Sequence, residues 1–451
     1  MSYDVKNIKT LEGIEAIRMR PGMYVASIGS EGVQHITLEI ISNAIDEYMA
    51  GYCNNIKIYL YDDGAVMIID NGRGVPFGKA KDGSETIENI FTKLHTGAKF
   101  DEAGQAGYNT STGLNGVGSK ATNALSEYFV VYSMRGDKKA HIEFERGKKT
   151  FFAIEDNSYS EFRHGTSVTF KPDKEIFKEG IVQDYNTLKK QIQELAYLSP
   201  GLTFELYQGD HAADPETIKS ENGIQDYIVD LNKGKNPITS VFYTETLEDR
   251  VGVKLAMQYN NTYSDVYKIY TNSVPNSGGT HLTGFRSALT QQINEYARAH
   301  KLLKDKDSNI TGDELKEGLT LVLSFIMPDP VFSGQTKDVL TSSEGRTIVQ
   351  RLVSEKLAYW FEKNPKDAKT IIEKALLARK AREKAKKAKE AVRKIDNKGS
   401  RLLNLPTKLV DCWSKDRGNC ELLICEGDSA AGGLVAARDG QFQAVFPIRG
   451  K

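Results

Sequence analysis

The N-terminal part of the chain contains two different hydrophobic periods. From 33 to 49, apolar residues recur every three or four positions, which predicts a helix with one buried face. From 56 to 61, lysine and tyrosine alternate with isoleucine and leucine, the period of two that a half-buried strand requires. Residues 66–69 predict a second, more buried strand, and Asp62-Asp63-Gly64 is the turn between the two. A helix followed by a β-hairpin is therefore expected.

The same mixture of helices and strands continues to about residue 220. Residues 97–112 interrupt it, because they are rich in glycine, serine, threonine, asparagine and alanine and predict a long loop. A loop of that length inside a compact domain is usually functional. The other elements predicted here are helices at 14–20, 86–94 and 119–125 and strands at 128–133, 140–145 and 166–170.

Beyond residue 220 the pattern changes twice. Up to 365 it predicts strands at 251–259, 266–271 and 319–327 and helices at 283–296 and 347–363. Residues 374–394 then hold ten Lys or Arg against two Glu, a net charge of +8, on a long helix whose alanines recur three or four apart. We expect this alanine seam to pack closely while the lysines face outward. A strand at 421–425 and a helix follow, and they begin a βα unit.

Length and composition limit the class of protein. A chain of 451 residues is expected to form two or three domains, and 27% charged with 39% hydrophobic residues is ordinary for a soluble protein. The four cysteines are too irregularly spaced for a disulfide framework or a common zinc site, which indicates a reducing compartment. There is no apolar run of about 18–20 residues and no signal or transit peptide, so we expect a cytoplasmic protein without a membrane partner.

Carboxylates and an amide cluster in two of the early elements. Glu39, Asn43 and Asp46 stand at i, i+4 and i+7 on the predicted helix and therefore share one face. Alone, this is most often a solvated polar face. Asp70 ends a buried strand and runs into glycines that include Gly74, where backbone can approach a ligand closely. A carboxylate held there can accept a hydrogen bond from an exocyclic amine such as that of adenine, although by itself the segment is only a good turn.

A third segment has the properties of a phosphate-binding loop. Gly113, Gly116 and Gly118 precede a helix that starts near Ser119, so mobile backbone N–H groups and the positive end of a helix dipole are combined. No Gly-Lys-Ser/Thr follows, so it is not a Walker loop. The three segments in this order predict a site that hydrolyses a nucleotide, although none of them would justify that prediction alone.

The succession resembles the Bergerat-type (GHKL) ATPase fold shared by type II topoisomerase ATPase subunits, Hsp90, MutL and histidine kinases. Further segments are similar to the B subunits of bacterial DNA gyrase and topoisomerase IV. They are Arg18-Met-Arg-Pro-Gly-Met-Tyr24, Gly279-Thr-His-Leu-x-Gly-Phe285, Gln335-Thr-Lys337, Leu405-Pro-x-Lys-Leu409 and Glu426-Gly-Asp-Ser-Ala430. The resemblance covers essentially the whole chain, and its Gln-Thr-Lys and Glu-Gly-Asp-Ser-Ala segments separate it from the other three groups.

The resemblance implies an α+β fold with several domains. They are a GHKL α/β sandwich over 1–219, an α/β transducer domain of the ribosomal S5-like type over 220–372, a basic linker helix over 373–404, and the truncated beginning of a Toprim domain over 405–451. The alternative function that we keep open is an ATP-switched clamp, like MutL or Hsp90, without topoisomerase activity.

The resemblance also implies a role for each candidate residue. Glu39 would be the general base for the attacking water, a role worth about 10²–10⁴ in rate. Asn43 would bind Mg²⁺, and Asp70 would recognise adenine with support from Thr166 through water. Lys337 would reach the γ-phosphate with Gln335 beside it. Arg73 would pair with Glu47 beside the base. The other nucleotide contacts implied are Tyr3, Asp46, Gly74, Lys99, Tyr108, Leu114, Asn115, Gly116, Val117 and Gly118.

The implied ligands and partners follow from the same family. They are ATP, Mg²⁺, DNA, a second copy of the chain that binds when ATP binds, and a topoisomerase A subunit that carries the tyrosine nucleophile. Tyr3 would cross to the nucleotide of the second copy. Glu426 would be a Toprim Mg²⁺ ligand in an incomplete site, because the Asp-x-Asp pair of that domain does not occur before Lys451. We therefore expect this polypeptide alone to hydrolyse ATP but not to cut DNA.

Overall fold

The computed structural model describes residues 13–25, 27–94, 96, 116–157, 163–210, 214–248, 250–334, 337–399 and 407–448, without the side chains of 391–399. The chain divides into two compact units, residues 1–376 and 377–451. The helices are α1 Gly13–Met19, α2 Ser30–Met49, α3 Thr86–Thr92, α4 Gly118–Ala124, α5 Tyr185–Leu198, α6 Ile224–Leu231, α7 Thr280–Ala299, α8 Gly312–Leu315, α9 Glu344–Lys363, α10 Pro365–Gly399 and α11 Asp428–Ala437. No helix in this part of the chain combines the length and apolar composition of a membrane span.

The strands complete the described elements. They are β1 Asn55–Leu60, β2 Val66–Asp70, β3 Ser126–Arg135, β4 Lys138–Glu145, β5 Lys148–Asp156, β6 His164–Pro172, β7 Thr203–Gln208, β8 Glu216–Ile218, β9 Phe242–Glu248, β10 Val251–Tyr259, β11 Val266–Thr271, β12 Val274–Asn276, β13 Gly278–Gly279, β14 Leu319–Ile326, β15 Val339–Leu340, β16 Glu421–Glu426 and β17 Gln443–Ile448.

Eight strands form the first sheet, in the order β5-β4-β3-β6-β2-β1-β7-β8. Helix α2 lies against it, because Ile36 and Ile41 of the helix belong to the same buried core as Ile58 and Ile68 of the hairpin. β2 is antiparallel to β6, and their register places Asp70 opposite Thr166. Two residues that the sequence separates widely thus become neighbours at the end of β2.

The second sheet has five strands in the order β12-β11-β14-β10-β9. Its central strand β14 is buried along almost its whole length, because both faces of the sheet are covered. α7 and α9 pack on one face, where Phe285 and Val353 join the core. α6 covers the other face through a smaller cluster, against which Tyr197 and Leu198 at the end of α5 also pack.

A short parallel pair, β13 with β15, attaches the segment after residue 337 to the chain just before α7. In the unit formed by residues 377–451, β16 and β17 pair in parallel, and α11 connects them. This arrangement is the βα unit that the sequence predicts.

The hydrophobic periods predict several buried elements, but they miss α5 and β7 and the more exposed β5. The helix expected at 33–49 and the strands expected at 56–61 and 66–69 are confirmed as α2, β1 and β2. β5 was not predicted, because most of its residues are exposed at the edge of the sheet and show no alternation. The alanine seam is wrong beyond its start, since Ala375 is buried but Ala381, Ala385 and Ala388 are exposed.

Candidate active site

A cavity of about 650 Å³, which we call the α2 cavity, lies among α2, the end of β2, the start of α4 and the edge of the second sheet. Its volume is in the range of small-molecule sites. The lining includes nine of the residues proposed from the sequence: Glu39, Asn43, Asp70, Gly74, Gly116, Val117, Gly118, Thr166 and Lys337. The fold thus brings together the three early segments and one residue from far along the chain.

Asp70 presents a buried carboxyl group to the α2 cavity. Only 7% of the residue is exposed, and its Oδ1 accepts a hydrogen bond from the Gly72 N–H at 2.8 Å. A Cβ at Gly72 would lie 2.7 Å from the same oxygen, so the turn requires glycine. Burial raises the pKa of Asp70 to about 7, the charge of Glu47 adds to this, and hydrogen bonds from Gly72 and Thr166 oppose it. The carboxyl group of Asp70 is therefore a hydrogen-bond acceptor in a fixed position.

Glu39 lies against the first residue of α4. A Cβ at Gly118 would stand 1.8 Å from Glu39 Oε2, so only glycine leaves room for the carboxylate. On the preceding turn of α2, His35 Nε2 lies 3.6 Å from Glu39 Oε1, and His35 also lines the cavity. His35 was missed, although its position four residues before Glu39 on the same face was a usable signal.

The other polar residues of α2 divide between the cavity and the interior. Asn43 Nδ2 donates to the Glu39 carbonyl oxygen at 2.9 Å, which fixes the orientation of the amide. Asp46 shares the face, but it is fully buried and does not line the cavity. Glu47 does line it, and the predicted pair with Arg73 is confirmed by contacts of 2.9 Å to each carboxylate oxygen.

A buried cation follows the glycine segment. Lys120 is 3% exposed, lines the α2 cavity and donates from Nζ to the Thr96 carbonyl oxygen at 2.8 Å. Sequence reasoning missed it, because lysine is normally counted as a surface residue. The proposed contacts that lie outside the described residues are Tyr3, Lys99, Tyr108, Leu114, Asn115 and Gln335.

Lys337 lines the cavity from the segment just before β15. Its backbone is left-handed, with φ +58°, and its N–H donates to the Gly334 carbonyl oxygen at 3.1 Å. Asn276 Nδ2, at the end of β12, donates to the Lys337 carbonyl oxygen at 2.8 Å. The β13–β15 pair begins two residues later. Contacts with Gly334 and Asn276 thus hold the backbone of this lysine at the lining of the cavity.

Comparisons with known proteins agree with this geometry. A family model described as histidine kinase-, DNA gyrase B-, and HSP90-like ATPase matches residues 29–176, and a DNA gyrase B model matches residues 223–391. The DNA gyrase B protein of Enterococcus faecalis is 42% identical over 456 residues, which cover 100% of this chain and 70% of that protein. The chain belongs to the DNA gyrase B family.

Other members of the gyrase B family give the same result. The DNA gyrase B protein of Clostridium acetobutylicum is 41% identical, with 100% of this chain and 70% of that protein covered. The 43K ATPase domain of Thermus thermophilus gyrase B, solved with an aminocoumarin, superposes with a TM-score of 0.69 and 35% identity over 84% of this chain and 98% of that one. The topoisomerase IV ATP-binding domain of Francisella tularensis, solved with a small-molecule inhibitor, has a TM-score of 0.68 and 28% identity over 83% and 98% of the two chains.

Membership of the gyrase B family decides between the two functions left open by the sequence. The chain is an ATP-driven subunit of a type II DNA topoisomerase, because the match extends over all of it and not over the ATPase fold alone. A MutL- or Hsp90-like clamp without topoisomerase activity is therefore not supported. The α+β class with GHKL ATPase and transducer domains is confirmed.

Glu426 belongs to the 377–451 unit of this gyrase B-family chain. It ends β16 and is exposed, and Lys408 pairs nearby with Asp428 at 2.8 Å. Within the described ranges, no group of three or more His, Cys, Asp or Glu is arranged to hold a metal ion. The role of Glu426 as a metal ligand stays a prediction.

Proposed function

We propose that the α2 cavity binds ATP and that Glu39 accepts a proton from the water that attacks the γ-phosphate. The observation that carries this proposal is the convergence of Glu39, Asp70 and Lys337 in one cavity, although they come from α2, from β2 and from the segment before β15. Asp70 accepts a hydrogen bond from the adenine amine at one end. Lys337 neutralises the charge that develops on the phosphoryl oxygens at the other end. His35, next to Glu39, orients the carboxylate.

The lining of the cavity also fits a magnesium ion bound together with the nucleotide. Mg²⁺ is usually held by one or two protein oxygens and by substrate phosphates, so a protein cage of three carboxylates is not needed. Asn43 supplies such an oxygen in its side-chain Oδ1, and the amide is oriented by the hydrogen bond from Nδ2 to the Glu39 carbonyl oxygen. A bound ion would offset the charge of the phosphates. Lys120, in the first turn of α4, supplies a further positive charge to the lining of the cavity.

The proposed role of Lys337 links ATP to the rest of the topoisomerase. Bound ATP would contact residues from both the ATPase domain and the transducer domain. Two copies of the chain would then associate around DNA. Cleavage of DNA would require an A subunit that carries the tyrosine nucleophile. The roles of Tyr3 and Gln335 and the cytoplasmic location stay predictions.

Replacement of Lys337 by alanine tests this function. We expect kcat for ATP hydrolysis to fall about 10²-fold, because one charge that stabilises the transition state is lost. Affinity for ADP should be unchanged, because ADP has no γ-phosphate. The measurements are steady-state hydrolysis and titration with ADP and with a non-hydrolysable ATP analogue. Lys301→Ala is the control, since Lys301 is exposed and also has a left-handed backbone, with φ +56°. Wild-type turnover by Lys337→Ala would refute the proposal.

The basic part of α10 is proposed to contact DNA phosphates. Lys384, Lys386 and Lys387 are exposed there. Reversal of these three charges to glutamate should weaken DNA binding. The slope of log K against log salt concentration should become less steep by about 0.9 for each phosphate contact that is lost. Fluorescence anisotropy at several salt concentrations measures both effects. The same reversal at the exposed Lys81, Lys174 and Lys178 is the control. Unchanged DNA affinity and unchanged DNA-stimulated ATP hydrolysis would rule this contact out.

A further inference from the structure

A polar cluster connects α5, which packs on the first sheet, with β11 of the second sheet. Lys268 Nζ lies 2.5 Å from Glu194 Oε1, and Tyr270 OH donates to Glu194 Oε2 at 2.9 Å. Both oxygens of one carboxylate are therefore held by a single strand of the other sheet. We call these three residues the Glu194 cluster. Hydrogen bonds to ionised groups are stronger than neutral ones, so the cluster is a firm connection.

Aromatic residues of α5 and α6 pack next to the Glu194 cluster. Tyr270 is 2% exposed and its hydroxyl lies 3.5 Å from that of Tyr227 on α6. Tyr227 in turn stacks on Tyr197 of α5, with ring centroids 4.6 Å apart. Burial, together with the nearby Tyr227 and Glu194, raises the pKa of Tyr270 far above its usual range, so its hydroxyl remains a donor. Burial lowers the pKa of Lys268, but the hydrogen bonds and charges of Glu194 and Tyr227 together raise it by more, so the pKa is raised overall.

The Glu194 cluster is continuous with the hydrogen bonds that hold the backbone of Lys337. Glu194 and Tyr270 line the α2 cavity, as Lys337 does. Thr271, the residue after Tyr270, donates through its hydroxyl to Asn276 Oδ1 at 2.6 Å. The Nδ2 of the same Asn276 donates to the Lys337 carbonyl oxygen at 2.8 Å. A chain of short polar contacts thus runs from Glu194 along β11 to the backbone of Lys337.

We propose that Glu194 is a positioning residue that fixes the second sheet against α5 and thereby sets how far Lys337 enters the α2 cavity. This inference rests on the proposed contact of Lys337 with the γ-phosphate. Glu194 does not act on the nucleotide itself. Its effect is geometric, and a displacement of about 1 Å at a catalytic group can reduce a rate by about 10²-fold.

Glu194→Gln tests the inference with little change of shape. It removes the charge that holds Lys268. We expect kcat for ATP hydrolysis and affinity for a non-hydrolysable ATP analogue to fall about tenfold, with ADP affinity unchanged. Tyr270→Phe removes one donor and keeps the ring, so it should change the same quantities in the same direction. It also replaces the first variant if Glu194→Gln proves unstable in a thermal melt.

The chain offers a closely matched control in a second carboxylate that binds side chains of α5. Tyr185 OH donates to Glu216 Oε2 at 2.7 Å, and Lys189 Nζ lies 2.5 Å from Glu216 Oε1. The carboxylate of Glu216 is 39% exposed and that of Glu194 is 35% exposed, but the Glu216 group joins α5 to β8 of the first sheet. Glu216→Gln should therefore leave the preference for ATP over ADP unchanged. An equal loss in both variants would mean that the effect is general and would overturn the inference.

A double-mutant cycle with Lys337→Ala separates the two proposals. If Glu194 acts through Lys337, then Glu194→Gln has no further effect on turnover once Lys337 is alanine. If the double variant lost turnover by the product of the two single losses, the two residues would act independently, and the role of Glu194 would be overturned. The same conclusion follows if Lys337→Ala is impaired while Glu194→Gln is like wild type. Wild-type behaviour of Lys337→Ala would instead refute the proposed function, and the inference with it.

Discussion

Replacement of Glu39 by glutamine is expected to lower kcat for ATP hydrolysis by about 10²–10⁴, while the affinity for ATP stays near that of the wild type. Glutamine keeps the size and most polar contacts of the side chain but cannot accept a proton from water. The carboxylate fills the space in front of Gly118, so its position is fixed by packing and the amide should occupy the same place. Single-turnover hydrolysis and an independent binding titration separate the two effects.

The control for this variant lies on the same helix. Glu31 is in the first turn of α2 and is exposed, so Glu31→Gln changes the same type of residue without altering the α2 cavity. It should hydrolyse ATP at the wild-type rate. Brisk turnover by Glu39→Gln would overturn the assignment of the general base and would direct attention to another carboxylate of the cavity, Glu47 first.

The part of the site that the sequence predicts is the part built from local periods. Glu39 and Asn43 stand one turn apart on a strongly periodic helix, and Asp70 ends an apolar strand before glycine, so both placements follow from short-range rules. Lys337 is different. It is placed at the cavity by the β13–β15 pair and by Asn276, contacts that no spacing in the sequence reveals. Only the resemblance to a family identified it.

Residues that break compositional rules were harder to find. Lys120 is a buried lysine, and the Glu194 cluster joins residues more than seventy positions apart. Both depend on tertiary packing, because neither has a period or a turn residue that marks it. Asp46 shows the opposite error, since it lies on the expected face of α2 but is enclosed by protein. The sequence predicts which residues share a face of a helix, but whether a given residue of that face lines a cavity depends on the tertiary packing around it.

Asp70 carries an unfavourable charge in the folded protein. Its pKa is raised from 3.8 to about 7 by burial, so between these pH values the folded state binds more protons than the unfolded state. The free energy of unfolding therefore falls as the pH rises from about 4 to about 7, and the unfavourable contribution is complete above that range. Such a group at a lining of the α2 cavity is typical of a functional site that reduces stability.

Asp70→Asn is expected to raise the melting temperature at pH 8 and to reduce ATP affinity by about 10³-fold. Asparagine removes the buried charge, so most of the stabilisation should be lost near pH 4, where the carboxyl is protonated in the folded state and about half protonated in the unfolded state. The Gly72 N–H donates to Oδ1 of residue 70, so the oxygen of asparagine should occupy that position. The NH₂ group of asparagine then faces the amine of adenine. Two donors that face each other cannot form a hydrogen bond, and such a site binds its ligand much more weakly. Melting curves at pH 4 and pH 8 and calorimetric titration with ATP measure both quantities.

Asp63→Asn gives the opposite sign in the same experiment. Hydrogen bonds from Lys171 and the Ala65 N–H lower the pKa of Asp63, so its contribution to stability is favourable above the unfolded pKa and is lost as the pH falls through the folded one. Its replacement should therefore not raise the melting temperature at pH 8, and it should leave ATP affinity unchanged. A lower melting temperature for Asp70→Asn at pH 8 would contradict the raised pKa of Asp70. Wild-type ATP binding by that variant would contradict its role as the adenine acceptor.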